Sequence, residues 1–102
     1  MIRKSVRIVN RQGMHMRAAN LFANLAGRFP ASVRVSKGEV IVNGKSIMGL
    51  MMLAAPCGSE IMLEIDGERE DDAFQELLVL IRTGFGEDTD GLPREERSRE
   101  ER

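Results

Sequence analysis

Few side chains in this 102-residue sequence could do chemistry, because it contains one His, one Cys, no Trp and no Tyr. The most informative segment is residues 13–19, Gly-Met-His-Met-Arg-Ala-Ala, in which a glycine lies two positions before His15 and Arg17 follows two positions after it. A helix that begins here would direct free backbone N–H groups and the positive end of its dipole at an anion. His15 could then accept a phosphoryl group covalently, and the Arg17 guanidinium could pair with its oxygens.

Other roles for these side chains stay open on the residues alone. His15 would also fit as a solvated residue at a helix start. Cys57 and His15 could form a catalytic pair, although a single buried Cys is usually an inert packing residue. One His and one Cys cannot build a metal cage within one chain, so we expect no metal and no cofactor. A lone Cys57 also excludes an internal disulfide.

Charge is distributed unevenly along the chain. The formal net charge is -1, but residues 1–45 hold nine bases and one acid, whereas residues 46–86 hold two bases and eight acids. The overall balance argues against a general polyanion binder, and the basic portion suits phosphate and acidic protein surfaces. A small RNA-binding protein is an alternative, but the four Phe residues offer no stacking platform. We therefore expect no direct nucleic-acid partner.

The chain is predicted to divide into one domain, residues 1–86, and a charged tail, residues 87–102. The tail carries eleven charged residues, and Leu92 is its only sizeable apolar side chain, which is typical of a disordered segment. No apolar run approaches the ~20 residues of a membrane span. The first four residues lead into an alternating pattern rather than the apolar stretch of a signal peptide. We expect a cytoplasmic protein without membrane insertion.

Four strands and three helices are predicted in the folded part. Alternating apolar and polar residues predict strands at residues 2–9, 33–36, 40–42 and 61–65. Apolar residues at helical spacing predict helices at residues 17–29, 47–53 and 70–85. Pro30 would end the first helix, and Ser46 stands at a plausible N-cap of the second. The order β-α-β-β-α-β-α predicts an α+β sandwich, one sheet with its helices on one face.

Two motifs, residues 13–18 and residues 45–53, together resemble the signatures of one family. The first matches the pattern Gly-aliphatic-His-(Ser/Thr/Ala)-Arg-(Pro/Ala) at every position except 16, and the second is Lys-Ser-Ile-Met-Gly-Leu followed by further apolar residues. These resemble HPr, the histidine-containing phosphocarrier of the phosphoenolpyruvate-dependent sugar phosphotransferase system. The resemblance implies an HPr-like open-faced β-sandwich, a four-stranded antiparallel sheet with three helices packed on one face. Met16 and Asn20 depart from the family, which usually has small residues at both positions.

The resemblance implies a function for His15. It would accept a phosphoryl group from phosphorylated enzyme I and pass it to an enzyme IIA domain, as a stoichiometric carrier rather than a turnover enzyme. His15 and Arg17 would be the catalytic residues, and Met16, Arg17 and Ala18 would bind the phosphate. The family uses the ring nitrogen Nδ1, which the sequence itself does not assign. The alternative is a regulatory HPr-like binding module, controlled by phosphorylation of Ser46, with little or no carrier role.

By the same resemblance, Ser46 is a regulatory phosphorylation site, with a serine kinase/phosphorylase and a transcription regulator as further partners. A phosphate on Ser46 would add nearly two negative charges at a helix N-terminus, within an exposed apolar surface. That docking surface is predicted to comprise Met14, Met16, Ile47, Met48, Met51 and Met52. A stripe of methionines is more often core than docking surface. So many apolar residues on one short helix cannot all be buried, however, and flexible methionines suit a surface with several partners.

Overall fold

The structure, a computed structural model, describes residues 1–87. Its elements are β1 (Ile2–Arg7), α1 (Met16–Ala26), β2 (Ser32–Lys37), β3 (Val40–Asn43), α2 (Ile47–Met52), β4 (Glu60–Asp66) and α3 (Glu70–Arg82). A 3-10 turn, Gly84–Gly86, follows α3. The predicted element order is confirmed, and so is the open-faced sandwich. Beyond Glu87, the predicted disordered tail lies outside the described residues.

The sheet is antiparallel throughout, and its strand order is β1-β4-β2-β3. Successive side chains of a strand point to opposite faces, so the alternating pattern gives one apolar and one polar face. Val33 pairs with Ile65 on the buried face. On the open face, Arg3 pairs with Glu64, and the two side chains form an ion pair of 3.3 Å.

The core lies between the buried face of the sheet and the helices. The residues that α1 buries are Ala18, Ala19, Phe22, Ala23 and Ala26. Helix α3 buries Ala73, Leu77, Leu78 and Ile81. Helix α1 packs against both α2 and α3, so its N-terminus is held by the same core that fixes the sheet. Burial of this apolar area is the main stabilising contribution to the fold.

The first helix ends three residues earlier than the sequence predicts. Its last residue is Ala26, whereas the apolar spacing extends to Phe29. The N–H groups of Arg28 and Phe29 donate to the carbonyls three residues earlier, at 3.1 and 3.2 Å, so the chain tightens before Pro30. Phe29 is nevertheless buried, which is why its spacing resembled that of the helix.

Ser46 is the N-cap of α2, as predicted. Its Oγ accepts a hydrogen bond of 3.0 Å from the N–H of Gly49, and its backbone is extended. We expect Ser46→Ala to lower the free energy of unfolding by about 1 kcal/mol, because that N–H loses its acceptor. Chemical denaturation measures the loss. Ser32→Ala is the matched control, an exposed serine whose side chain makes no hydrogen bond within residues 1–87. Equal losses in the two variants would contradict the capping role.

Candidate functional site

A short anchored loop presents His15 at the start of α1. Gly13 has a φ of +69° in this loop, and its N–H donates to the Asn10 carbonyl at 3.1 Å. The N–H of Met14 donates to the Ala55 carbonyl at 2.9 Å, which ties the loop to the chain after α2. His15 is the N-cap residue of α1 and has an extended backbone. Its side chain is 27% exposed, so the imidazole is accessible to a partner.

Free backbone donors begin directly after His15. The first helical hydrogen bond runs from the N–H of Ala19 to the His15 carbonyl, at 2.8 Å. The N–H groups of Met16, Arg17 and Ala18 therefore have no backbone acceptor within residues 1–87. The side chain of Arg17 extends from the same turn and is 64% exposed. Donors and a cation thus stand beside the imidazole, as the sequence predicts for an anion site.

The side chain of Glu87 lies against the imidazole. Its Oε2 is 2.7 Å from His15 Nε2 and accepts a hydrogen bond of 3.2 Å from Arg17 Nη1. Its Oε1 accepts one of 3.0 Å from Asn10 Nδ2. A carboxylate can only accept, so the short contact with His15 requires the ring proton on Nε2. Nδ1 has no hydrogen-bond partner within residues 1–87.

The protonation state of Glu87 follows from its surroundings. Burial acts to raise the pKa of Glu87, but the hydrogen bonds from Asn10, His15 and Arg17 outweigh it. The pKa of Glu87 is therefore below its ordinary value of 4.5, and the group is an anion at neutral pH. A permanent acceptor thus lies next to Nε2.

Asn10 connects this carboxylate to the loop. Its side chain is fully buried, and Nδ2 donates both to the Gly13 carbonyl at 2.8 Å and to Glu87 at 3.0 Å. Its Oδ1 is buried without a hydrogen-bond partner in the described part of the chain. The two acceptors around Nδ2 fix the orientation of the amide. A reversed amide would place Oδ1 against the Gly13 carbonyl oxygen and the Glu87 carboxylate.

Asn10, His15 and Arg17 lie within a region that matches a known family, whereas Glu87 lies beyond its last residue. The family model described as "PTS HPr component phosphorylation site" matches residues 2–83. The chain belongs to the HPr family of phosphocarrier proteins. Its sequence is 49% identical over 87 residues to phosphocarrier protein HPr of Neisseria meningitidis serogroup A, covering 85% of this chain and 98% of that protein. It is 47% identical over 83 residues to phosphocarrier protein HPr of Pseudomonas aeruginosa, covering 80% of this chain and 92% of that protein.

Solved HPr structures have the same fold. HPr-C-His of Thermoanaerobacter tengcongensis superposes with a TM-score of 0.83 at 38% identity, covering 86% of this chain and 99% of the other. Phosphocarrier protein HPr of Bacillus anthracis gives a TM-score of 0.75 at 35% identity, covering 78% and 95%. The HPr-like sandwich predicted from the motifs is confirmed. No helix within residues 1–87 is long and apolar enough to span a membrane.

The structure corrects the predicted docking surface at one residue. Met16, Met48 and Met52 are each at least 65% exposed, and Met51 is exposed to a smaller extent. Ile47 is half-buried. Met14, in contrast, is 4% exposed and belongs to the hydrophobic core, so its predicted exposure is wrong. The physical reason is the loop, because the turn at Gly13 and the hydrogen bond to Ala55 direct this residue inward.

Two further residues singled out in the sequence have other partners. The thiol of Cys57 is half-buried and contacts the Val9 carbonyl at 3.7 Å. Within residues 1–87 no hydrogen bond joins it to His15, whose side-chain partner is Glu87. Lys45, next to Ser46 in the second HPr motif, donates to the Phe29 carbonyl at 2.8 Å. Lys45 therefore connects the start of α2 to the end of α1.

Neither Asn10 nor Glu87 is predicted as a site residue from the sequence. Glu87 is the first residue of the predicted charged tail, and one more acid in a charged run carries no distinguishing pattern. Asn10 offered a weak signal, a polar residue directly after the apolar Ile8 and Val9, at the end of a predicted strand. Only the folded chain brings the two side chains together, because seventy-seven positions separate them.

Proposed function

We propose that the protein is a cytoplasmic phosphoryl carrier of the phosphotransferase system. In this role His15 accepts a phosphoryl group from phosphorylated enzyme I and passes it to an enzyme IIA domain. The supporting observation is an accessible imidazole at a helix N-terminus whose Nε2 is engaged by Glu87 while Nδ1 has no partner within residues 1–87. The lone, half-buried Cys57 fits a reducing compartment.

The geometry supports a simple transfer step. The lone pair of Nδ1 attacks phosphorus, and the bond from phosphorus to the donor breaks with its electron pair remaining on the donor. Arg17 and the N–H groups of residues 16–18 would bind the phosphoryl oxygens. The helix dipole contributes about 0.3–1 kcal/mol to the stability of the bound anion. The reverse step hands the group to the next acceptor, so one site serves both transfers.

Partners would dock beside His15 on the exposed methionines of α1 and α2. Met16 lies on the first turn of α1, and Met48, Met51 and Met52 lie on α2, which packs against α1. Flexible methionine side chains can adapt to both enzyme I and enzyme IIA domains. The exposed guanidinium of Arg17 would favour acidic partner surfaces through charge complementarity.

Phosphorylation of Ser46 would regulate this docking. Ser46 is half-buried at the start of α2, and the exposed Met48 follows two positions later. A phosphate would place nearly two negative charges within the proposed apolar docking surface. Enzyme I and enzyme IIA domains would then bind less well, because those charges would have to be desolvated. A serine kinase/phosphorylase would set the state of Ser46, and a transcription regulator would recognise the phosphorylated form.

A relay assay tests the carrier role. The chain is incubated with labelled phosphoenolpyruvate and enzyme I, and an enzyme IIA domain is then added. We expect an acid-labile, base-stable label on the chain only when enzyme I is present, and its transfer to the IIA domain. An unlabelled chain would contradict the carrier function. Label obtained only from ATP and a serine kinase, and lost in Ser46→Ala, would favour the regulatory module instead.

A further inference from the structure

Resting on the proposed function, we propose that Asn10 and Glu87 form a positioning pair that holds the Nε2 proton of His15 and so presents Nδ1 to the phosphoryl donor. The pair is anchored on both sides. Asn10 Nδ2 binds the Gly13 carbonyl at 2.8 Å and Glu87 Oε1 at 3.0 Å, while Glu87 Oε2 lies 2.7 Å from the ring. The loop, the carboxylate and the imidazole therefore keep one relative geometry.

The chain places Glu87 at the site through an ordered turn. The N–H of Glu87 donates to the Gly84 carbonyl at 2.8 Å, and that of Gly86 donates to the Thr83 carbonyl at 3.2 Å. Phe85 lies between them with a φ of +55° and a side chain only 2% exposed. A non-glycine residue is uncommon at positive φ, and such strain persists only where the surroundings hold it. Here the buried ring of Phe85 holds the turn, and the turn places Glu87.

The side-chain oxygen of Asn10 is a further observation that supports the positioning role. Buried polar atoms nearly always find a hydrogen-bond partner, yet Asn10 Oδ1 has none within residues 1–87. An apolar residue would avoid that cost at this fully buried position. Asn10 nevertheless makes two donor contacts, one to the loop and one to Glu87. The cost is offset if the side chain serves to position the carboxylate.

The chemistry of transfer gives the pair its role. When Nδ1 bonds to phosphorus, the proton on Nε2 stays in place and the ring acquires a positive charge. The carboxylate of Glu87, next to Nε2, offsets that charge without having to move. When the phosphoryl group leaves, the electron pair of the N–P bond returns to Nδ1 and the ring becomes neutral. Glu87 therefore acts through His15 in both directions and does not touch the phosphoryl group.

Arg17 can change partner without disturbing this arrangement. Its contact with Glu87 Oε2, at 3.2 Å, is the longest of the three hydrogen bonds to the carboxylate, and its side chain is 64% exposed. The guanidinium can therefore turn to the phosphoryl oxygens as they arrive. Glu87 is 10% exposed and retains its hydrogen bonds from Asn10 and His15. The positioning pair thus remains formed while the anion site fills.

The test compares Glu87→Ala with Glu76→Ala, an exposed glutamate on α3. We expect Glu87→Ala to lower kcat/KM for phosphoryl transfer from phosphorylated enzyme I by about tenfold, the lower end of the loss seen when a metal-bound histidine loses its hydrogen-bonded carboxylate. Nitrogen-15 NMR of the free protein should show Nε2 losing its strong hydrogen bond in this variant. Glu76→Ala should match the wild type in both measurements. Circular dichroism of each variant confirms the fold.

The outcomes separate this proposal from the carrier function. If the wild type is labelled by enzyme I, a Glu87→Ala variant with wild-type transfer and an unchanged ring spectrum would overturn the positioning pair alone. If the wild type is not labelled, the carrier function fails. The ring spectrum of the free protein then decides the pair by itself: a change confined to Glu87→Ala supports it, and identical spectra overturn it.

Discussion

His15→Ala is expected to abolish phosphoryl acceptance from phosphorylated enzyme I. The chain contains no second His, so no other imidazole can take the group. The thiol of Cys57 contacts the Val9 carbonyl and makes no hydrogen bond with the His15 site within residues 1–87. We therefore expect the acid-labile label to fall to background and transfer to the IIA domain to cease. Scintillation counting of the base-stable label on the isolated protein measures the effect.

The same variant should remain folded, which makes the loss interpretable. The His15 side chain makes no capping hydrogen bond to α1, and its backbone contacts survive the substitution. We expect a melting temperature within a few degrees of the wild type. Gln75→Ala, an exposed substitution on α3, is the control and should be labelled like the wild type. Full labelling of His15→Ala would contradict the assignment of the acceptor. If His15→Ala is unfolded at the assay temperature, labelling is repeated at a lower temperature at which it is folded. Background label there supports His15 as the acceptor.

Gly13→Ala is expected to cause the largest loss of stability among the substitutions considered. A Cβ at this position would lie 2.3 Å from the Ala55 carbonyl oxygen and 2.9 Å from Pro56 Cα, both of them backbone atoms. The φ of +69° adds strain for any residue with a side chain. We expect the free energy of unfolding to fall by about 2–4 kcal/mol. The melting temperature should drop by about 10 °C or more in a domain of this size.

Phosphoryl transfer should fall in the Gly13→Ala protein even where it is still folded, because the loop that carries His15 must move away from Ala55. Displacement of a reacting group by about 1 Å can cost up to 100-fold in rate. Gly38→Ala is the matched control. Gly38 also has a positive φ, +60°, but a Cβ there meets nothing within 4 Å. The Gly38→Ala protein should lose only about 1 kcal/mol of its free energy of unfolding and should keep its transfer rate. Equal effects in both variants would refute the close approach at Gly13.

Local sequence patterns were sufficient to predict the elements of this fold. The alternation in β4 and the apolar spacing in α3 arise from the periods of strand and helix, so each is visible within a dozen residues. Ser46 was predictable as an N-cap because capping depends on residues three positions apart. The ends of α1 and α3 were less accurate, because Phe29 and Phe85 are buried in tight turns and have the same spacing as helical residues. Helix α3 ends at Arg82, three residues before its predicted end.

The finer parts of the site depend on contacts that no local pattern encodes. Met14 is adjacent to His15 in the sequence, yet a hydrogen bond to Ala55, forty-one positions away, helps direct it into the core. Glu87 comes to His15 from seventy-two positions away, through a turn fixed by the burial of Phe85. The motif located the imidazole and Arg17, because they are neighbours on one helix turn. It could not locate the carboxylate that contacts them both.

The most direct test of the central claim is to observe the imidazole while the protein is phosphorylated. Protein labelled with nitrogen-15 is incubated with enzyme I and phosphoenolpyruvate, and the ring nitrogens are recorded by NMR. Because the chain has one His, both ring-nitrogen signals belong to His15, and the coupling to phosphorus identifies the phosphorylated nitrogen. We predict that Nδ1 of His15 shifts and couples to phosphorus while Nε2 keeps its proton. Unchanged ring signals in a protein that has taken up phosphate elsewhere would contradict His15 as the acceptor.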